Sequence, residues 1–147
     1  MTSYYDILKI LKTEIEATQL VNTITQGNLD NRNINKQDLY PLCNIEVTNA
    51  RFIGATIVFS ITLECVDVLD ISKEETTDLF RGNDNEIDVL NSTITILNRI
   101  FERLRRKIQG EQISDADLQP SFNIYMDGCS GWQMTFDITI PANMPIC

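Results

Sequence analysis

The chain contains no histidine. That absence removes Ser-His-Asp and Cys-His nucleophile pairs, imidazole metal ligands and imidazole acid–base chemistry near neutral pH. The four cysteines, Cys43, Cys65, Cys129 and Cys147, form no Cys-x-x-Cys pair, so neither a zinc knuckle nor a thioredoxin-like centre is indicated. No apolar run approaches the roughly 20 residues a membrane-spanning helix needs. The first residues carry neither a basic region nor an apolar core, so no secretory signal is expected. The thiols are therefore expected to be reduced, in a chain made in a cytoplasm. Cys43 and Cys65 occupy apolar strand positions and read as small buried hydrophobes rather than ligands.

What is present is an ordinary globular composition: 147 residues, 43% apolar and 22% charged, with a net charge of −9. This length predicts one domain over 1–147. The acidic balance disfavours binding of a phosphate backbone.

Hydrophobic periodicity predicts a helix over 3–23, with Ser3 as its cap, Asp6 in its first turn, and an apolar stripe of Tyr4, Ile7, Leu8, Leu11 and Ile15 extending to Thr18 and Val21. A polar loop is expected over 25–42. Cys43, Ile45 and Val47 then alternate with polar residues, as a half-buried strand does, and Asn49-Ala50 reads as the turn after it. Seven consecutive odd positions, Ile53 to Cys65, are apolar. At about 3.3 Å per residue this predicts a strand on the order of 40 Å long, with one dry face and a portion reaching past the core. An acidic loop over 67–84 follows. Asn83 and Glu86 have the form of a capping box, opening a second helix with a seam of Ile87, Leu90, Ile94, Leu97, Phe101, Leu104 and Ile108; Gly110 stops it. Phe122, Ile124 and Met126 predict a strand, Asp127 to Gly131 a hairpin turn, and Trp132, Met134, Phe136, Ile138 and Ile140 a last strand ended by Pro141. An apolar tail covers 141–147. The expected fold class is α+β: a two-layer sandwich, an antiparallel sheet with two helices on one face, in the order α-β-β-α-β-β.

No group of residues converges on chemistry. Asp67, Asp70, Glu74, Glu75 and Asp78 lack the spacing of a calcium loop and read as a solvated acidic loop. Arg103, Arg105, Arg106 and Lys107 complement the dipole at a helix C-terminus. The seam of the second helix is better matched to its own sheet than to a coiled coil. Gly128-Cys129-Ser130-Gly131 lacks the Gly-x-Ser-x-Gly pattern of a nucleophile elbow and reads as a turn. No catalytic residue, cofactor site or metal site is expected, and the chain does not read as an enzyme.

Four stretches carry a resemblance: Leu39-Tyr40-Pro41-Leu42-Cys43-Asn44-Ile45, Asp70-Ile71-Ser72-Lys73-Glu74-Glu75-Thr76-Thr77-Asp78, Gly82-Asn83-Asp84-Asn85-Glu86-Ile87-Asp88-Val89-Leu90-Asn91, and Gly131-Trp132-Gln133-Met134-Thr135-Phe136-Asp137-Ile138-Thr139-Ile140-Pro141. Together they resemble small structural proteins of tailed bacteriophages, particularly crAss-like and other phages of Bacteroidota. The expected element order is similar to that of tail-terminator and neck (head–tail connector) ring proteins. The resemblance implies a virion protein, assembled in the host cytoplasm, that forms a homo-oligomeric ring of six or twelve copies. Such a ring stacks between portal-side and tail proteins, and genome DNA passes through it without specific binding. No membrane and no small-molecule substrate are implied. Subunit-contact candidates are Leu39, Tyr40, Leu69, Ile71, Leu79, Phe80, Arg103, Arg106, Met144 and Ile146, from the two loops, the end of the second helix and the tail. The end of the long strand toward Cys65 is expected at a subunit contact. Two rival readings are a small ferredoxin-like ligand-binding or enzyme domain, and an adaptor that binds a partner by strand addition.

Overall fold

A computed structural model describes residues 3–27, 40–68, 86–108, 112–121 and 129–142. The elements are α1 (Tyr4–Ala17), β1 (Thr23–Gln26), β2 (Leu42–Ile53), β3 (Thr56–Val68), α2 (Glu86–Lys107), β4 (Asp117–Ser121) and β5 (Cys129–Pro141). The chain is a mixed α+β structure with two helices and a five-stranded sheet in the order β1-β2-β3-β5-β4. The element order is thus α-β-β-β-α-β-β rather than α-β-β-α-β-β. The sheet is not wholly antiparallel, because β1 runs parallel to β2.

Each departure has a local cause. In α1, the Ser3 hydroxyl accepts from the Asp6 N–H at 3.2 Å, as expected of the cap. The helix stops at Ala17 rather than near residue 23, because Gln19 takes a left-handed conformation (φ 57°) that cannot propagate it. The freed chain supplies β1. The stretch expected as a loop over 25–42 therefore begins with Thr25 and Gln26 in β1 and ends with Leu42 in β2. Likewise Asp67 and Val68, expected in the acidic loop, belong to β3.

The turn expected at Asn49-Ala50 lies instead at Gly54-Ala55. Ile53 pairs with Thr56 across it, and Gly54 has φ 57°, the positive value a tight hairpin requires at its first central position. Ile53 thus belongs to β2, not to the strand after it. What sits near Asn49 is a β-bulge. Val47 pairs with Ile61 and Asn49 with Ser60, so Thr48 is an extra residue. Before the bulge, odd residues of β2 face the helices; after it, even residues do, as the pairings Ala50 with Phe59 and Phe52 with Ile57 require.

The expected strand at 122–126 and most of the tail lie outside the described residues. β5 starts at Cys129, so Cys129, Ser130 and Gly131 are strand rather than turn. β4, with Asp117 and Pro120, was not foreseen; proline is tolerated because β4 is an edge strand.

The core forms on one sheet face. Cys43 and Ile45 of β2, Ile57, Phe59, Ile61, Leu63 and Cys65 of β3, and Met134, Phe136, Ile138 and Ile140 of β5 cluster with Ile7, Leu11 and Ile15 of α1 and with Ile96, Leu97, Ile100 and Leu104 of α2. The Phe101 and Phe136 rings lie 5.7 Å apart, and Tyr4 and Phe59 5.8 Å. The Trp132 indole N–H donates to the Leu90 carbonyl at 2.9 Å, tying β5 to α2.

The other face is not simply wet. Leu42, Val66 and Cys129, with Tyr40 against them, form a second buried cluster there. Beside it a polar row crosses all five strands: Thr25, Asn44, Glu64, Gln133 and Gln119. Thr25 donates to Asn44 Oδ1 at 2.8 Å, and Asn44 Nδ2 donates to the Gly27 carbonyl at 2.8 Å. Among the described residues, no helix is long and apolar enough to cross a membrane.

Candidate interaction surface

β2 is the element whose burial changes most along its length. Leu42 to Ile45 lie between β1 and β3 and are buried; Thr48 to Ile53 are exposed throughout. The cause is topological. β1 is four residues long and its pairing ends with Gln26 opposite Ile45. Among the described residues, nothing borders β2 beyond that point, so its outer half is a bare sheet edge. Two large apolar side chains stand on it: Phe52 is 76% exposed and Ile53 51%. They are consecutive, so they point to opposite faces. Phe52 extends the helix-side face beside Ile57, and Ile53 lies on the open face with Arg51.

β3, by contrast, is buried or half-buried along all but its last residue, because β2 and β5 flank it on both sides. The surplus expected of the long strand is therefore carried by β2. Cys65, at the end expected to reach a neighbour, is fully buried. Burial pushes the Cys43 thiol up to about 12, with the Glu64 carboxylate adding to the effect, and pushes the paired Cys65 thiol well above its ordinary range. Neither thiol is a nucleophile at neutral pH.

At the opposite sheet edge an apolar groove of about 370 Å³ runs between α2 and β4, lined chiefly by Ile94, Phe101, Leu118 and Met134. Leu118 is 40% exposed. It pairs with Met134 of the core, which places it on the helix-side face.

The contact candidates read from the sequence divide as follows. Leu39, Leu69, Ile71, Leu79, Phe80, Met144 and Ile146 lie outside the described residues. Tyr40 is half-buried against Leu42, Val66 and Cys129 on the open sheet face. Arg103 and Arg106 come together in a shallow groove of about 220 Å³ with Glu14 and Lys107. Arg103 Nε donates to the buried Glu14 carboxylate at 2.9 Å, so this guanidinium joins α2 to α1 within the chain. Arg106 stays exposed. Arg105 lies 5.7 Å over the Phe101 ring, a cation–π contact at the lip of the larger groove.

Phe52, Ile53 and Leu118 were not among the sequence candidates. The signal for the first two was Gly54, which relocates the turn and leaves them on an edge. Leu118 carried no signal, because its neighbours Asp117 and Pro120 do not read as strand.

Among the described residues, no cluster of three or more histidine, cysteine, aspartate or glutamate side chains could hold a metal ion. No protein-family model matches the chain, and no curated protein matches it.

Proposed function

We propose that the chain is a structural, non-catalytic subunit of a tailed-phage virion, forming a homo-oligomeric ring in the neck or tail barrel. The ring stacks between portal-side and tail proteins around the DNA channel. The observation that carries this reading is the outer half of β2: a bare edge displaying Phe52 and Ile53 to solvent is a surface that association would bury. The resemblance of four sequence stretches to phage neck and tail proteins gives that association its setting. The net charge of −9 suits a channel through which phosphate passes without being held. Both helices on one face of the sheet, as a two-layer sandwich, would leave the other face and both edges for neighbours.

The test is light scattering of the purified full chain, followed by electron microscopy of assembled material viewed down its axis. A closed ring with a central opening is expected. A chain that stays monomeric at high concentration and associates with no phage particle overturns the reading.

One observation favours a second reading. The edge of β2 beyond Ile45, unbordered among the described residues, is also where a partner's strand could add, as in an adaptor. Co-purification with one soluble partner, without ring formation, would select it.

A further inference from the structure

Among the described residues this sheet has two uncovered edges, and they match each other. The outer half of β2 is one; β4 is the other, at the opposite end of the strand order. Phe52 projects on the helix-side face of the first, and the groove between α2 and β4 opens on that same face of the second. On the open face, Arg51 stands exposed on β2, and Asp117 stands exposed on β4, where its pairing with Thr135 places it. Apolar thus lies opposite apolar on one face, and cation opposite carboxylate on the other. Copies related by a rotation keep their sheet faces aligned, so they can present these edges to one another in this order.

We infer that copies of this chain join head to tail, with outer β2 of one copy against the β4 edge of the next. Phe52 seats in the α2–β4 groove and Arg51 faces Asp117. This rests on the ring reading and deepens it by naming the contact. The occupant of the groove is a second copy for three reasons. The matching features sit on one chain and on the correct faces. The charges are complementary across the join. The area is also telling: a Phe side chain buries about 150–250 Å², so one tip with its flanking edge falls below the roughly 1,200 Å² of a stable two-protein interface. A contact of that size holds when it is repeated around a closed ring, where each copy is bound on both sides. The two patches differ, so the contact is heterologous and propagates until it closes. A symmetric pairing of two β2 edges would instead leave both grooves empty.

The test is cysteine cross-linking of the full chain in a Cys147→Ser background. The described native cysteines are buried and do not compete. Phe52→Cys protein is mixed with Leu118→Cys protein and oxidised. A cross-linked dimer is expected from the mixture and from neither variant alone. Arg51→Asp should reduce assembly measured by light scattering, and adding Asp117→Arg in the same chain should restore it. Cross-linking of Phe52→Cys protein to itself would show symmetric edge pairing and overturn the inference. Rings seen by microscopy without the mixed cross-link would overturn this contact and leave the ring reading standing. Absence of any self-association at high concentration, together with no association with phage particles, would overturn both.

Discussion

Leu42 to Ile45 and Thr48 to Ile53 belong to one strand and both pair with β3, yet the first four are buried and the last six are exposed. Composition does not separate them: Ile45 is 3% exposed and Ile53, no less apolar, is 51% exposed. What differs is coverage. The inner half has β1 on its free side and α1 over its core-facing residues; among the described residues, the outer half is paired with β3 alone. Alternation decides which face a side chain takes, whereas neighbouring elements decide whether that face is dry. The outer half is held in place by β3, which is itself fixed between β2 and β5, so it can stay exposed without unfolding.

The comparison can be broken most severely where the strands approach closest. A Cβ on Gly131 would overlap the Cys65 carbonyl oxygen, a backbone atom with nowhere to retreat. Gly131→Ala is expected to cost about 4 kcal/mol, seen as a lowered midpoint in urea; a loss under about 1 kcal/mol would mean the strands part easily. Next come paired truncations within β2. Ile45→Ala should cost about 3 kcal/mol through the cavity it leaves, and Phe52→Ala less than about 0.5 kcal/mol in the isolated chain. Equal losses by thermal denaturation would erase the distinction between the halves. Asn44→Ala removes the side chain that joins β1 to β2 and strands the Thr25 hydroxyl and the Gly27 carbonyl. It should cost about 2 kcal/mol, with faster amide exchange concentrated in Thr23–Gln26.

A further prediction concerns pH. The Cys43 thiol is neutral in the fold up to about pH 12, while its unfolded counterpart ionises from near 9.0. Its stabilising contribution is therefore complete below pH 9 and lost as pH rises from there toward 12, by about 1 kcal/mol per pH unit. Cys43→Ala should show a shallower alkaline decline of unfolding free energy than the parent chain. Identical slopes would mean that the thiol ionises as freely in the fold as out of it.

How legible this was from the sequence depended on whether a signal was local. The periodicity of α2 and the alternation of β5 are carried by long runs of their own residues, so both elements are found; the buried face of α2 is nevertheless Val89, Thr93, Ile96, Leu97, Ile100 and Leu104, with Ile87 of the expected seam 45% exposed, and β5 begins at Cys129 rather than Trp132. The cap at Ser3 was equally plain. β1 was not: Thr23 to Gln26 alternates over too few residues to register, and it becomes a strand only by pairing with β2 some twenty positions on. β4 exists for the same reason, through β5. The end of α1 was masked because Gln19, not glycine, takes the left-handed turn. The interaction surface was the least legible part. Exposure of Phe52 follows from where β1 stops, a fact about another strand, and the groove beside Leu118 needs α2 and β4 brought together. From the sequence Asn49-Ala50 reads as a turn; only the pairing with Ser60 shows that the ladder there breaks phase at a bulge and continues.

That break gives β2 a single joint at which its length can change. Without Thr48, Asn49 would follow Val47 as Ser60 precedes Ile61, and Ala50 and Phe52 would keep their places opposite Phe59 and Ile57. A one-residue loss elsewhere in the outer half would invert the faces of everything between it and the bulge. Among diverged copies of this sequence, single-residue gaps in β2 should therefore gather at Thr48, making the bulge a point of tolerated drift in a strand that otherwise admits none.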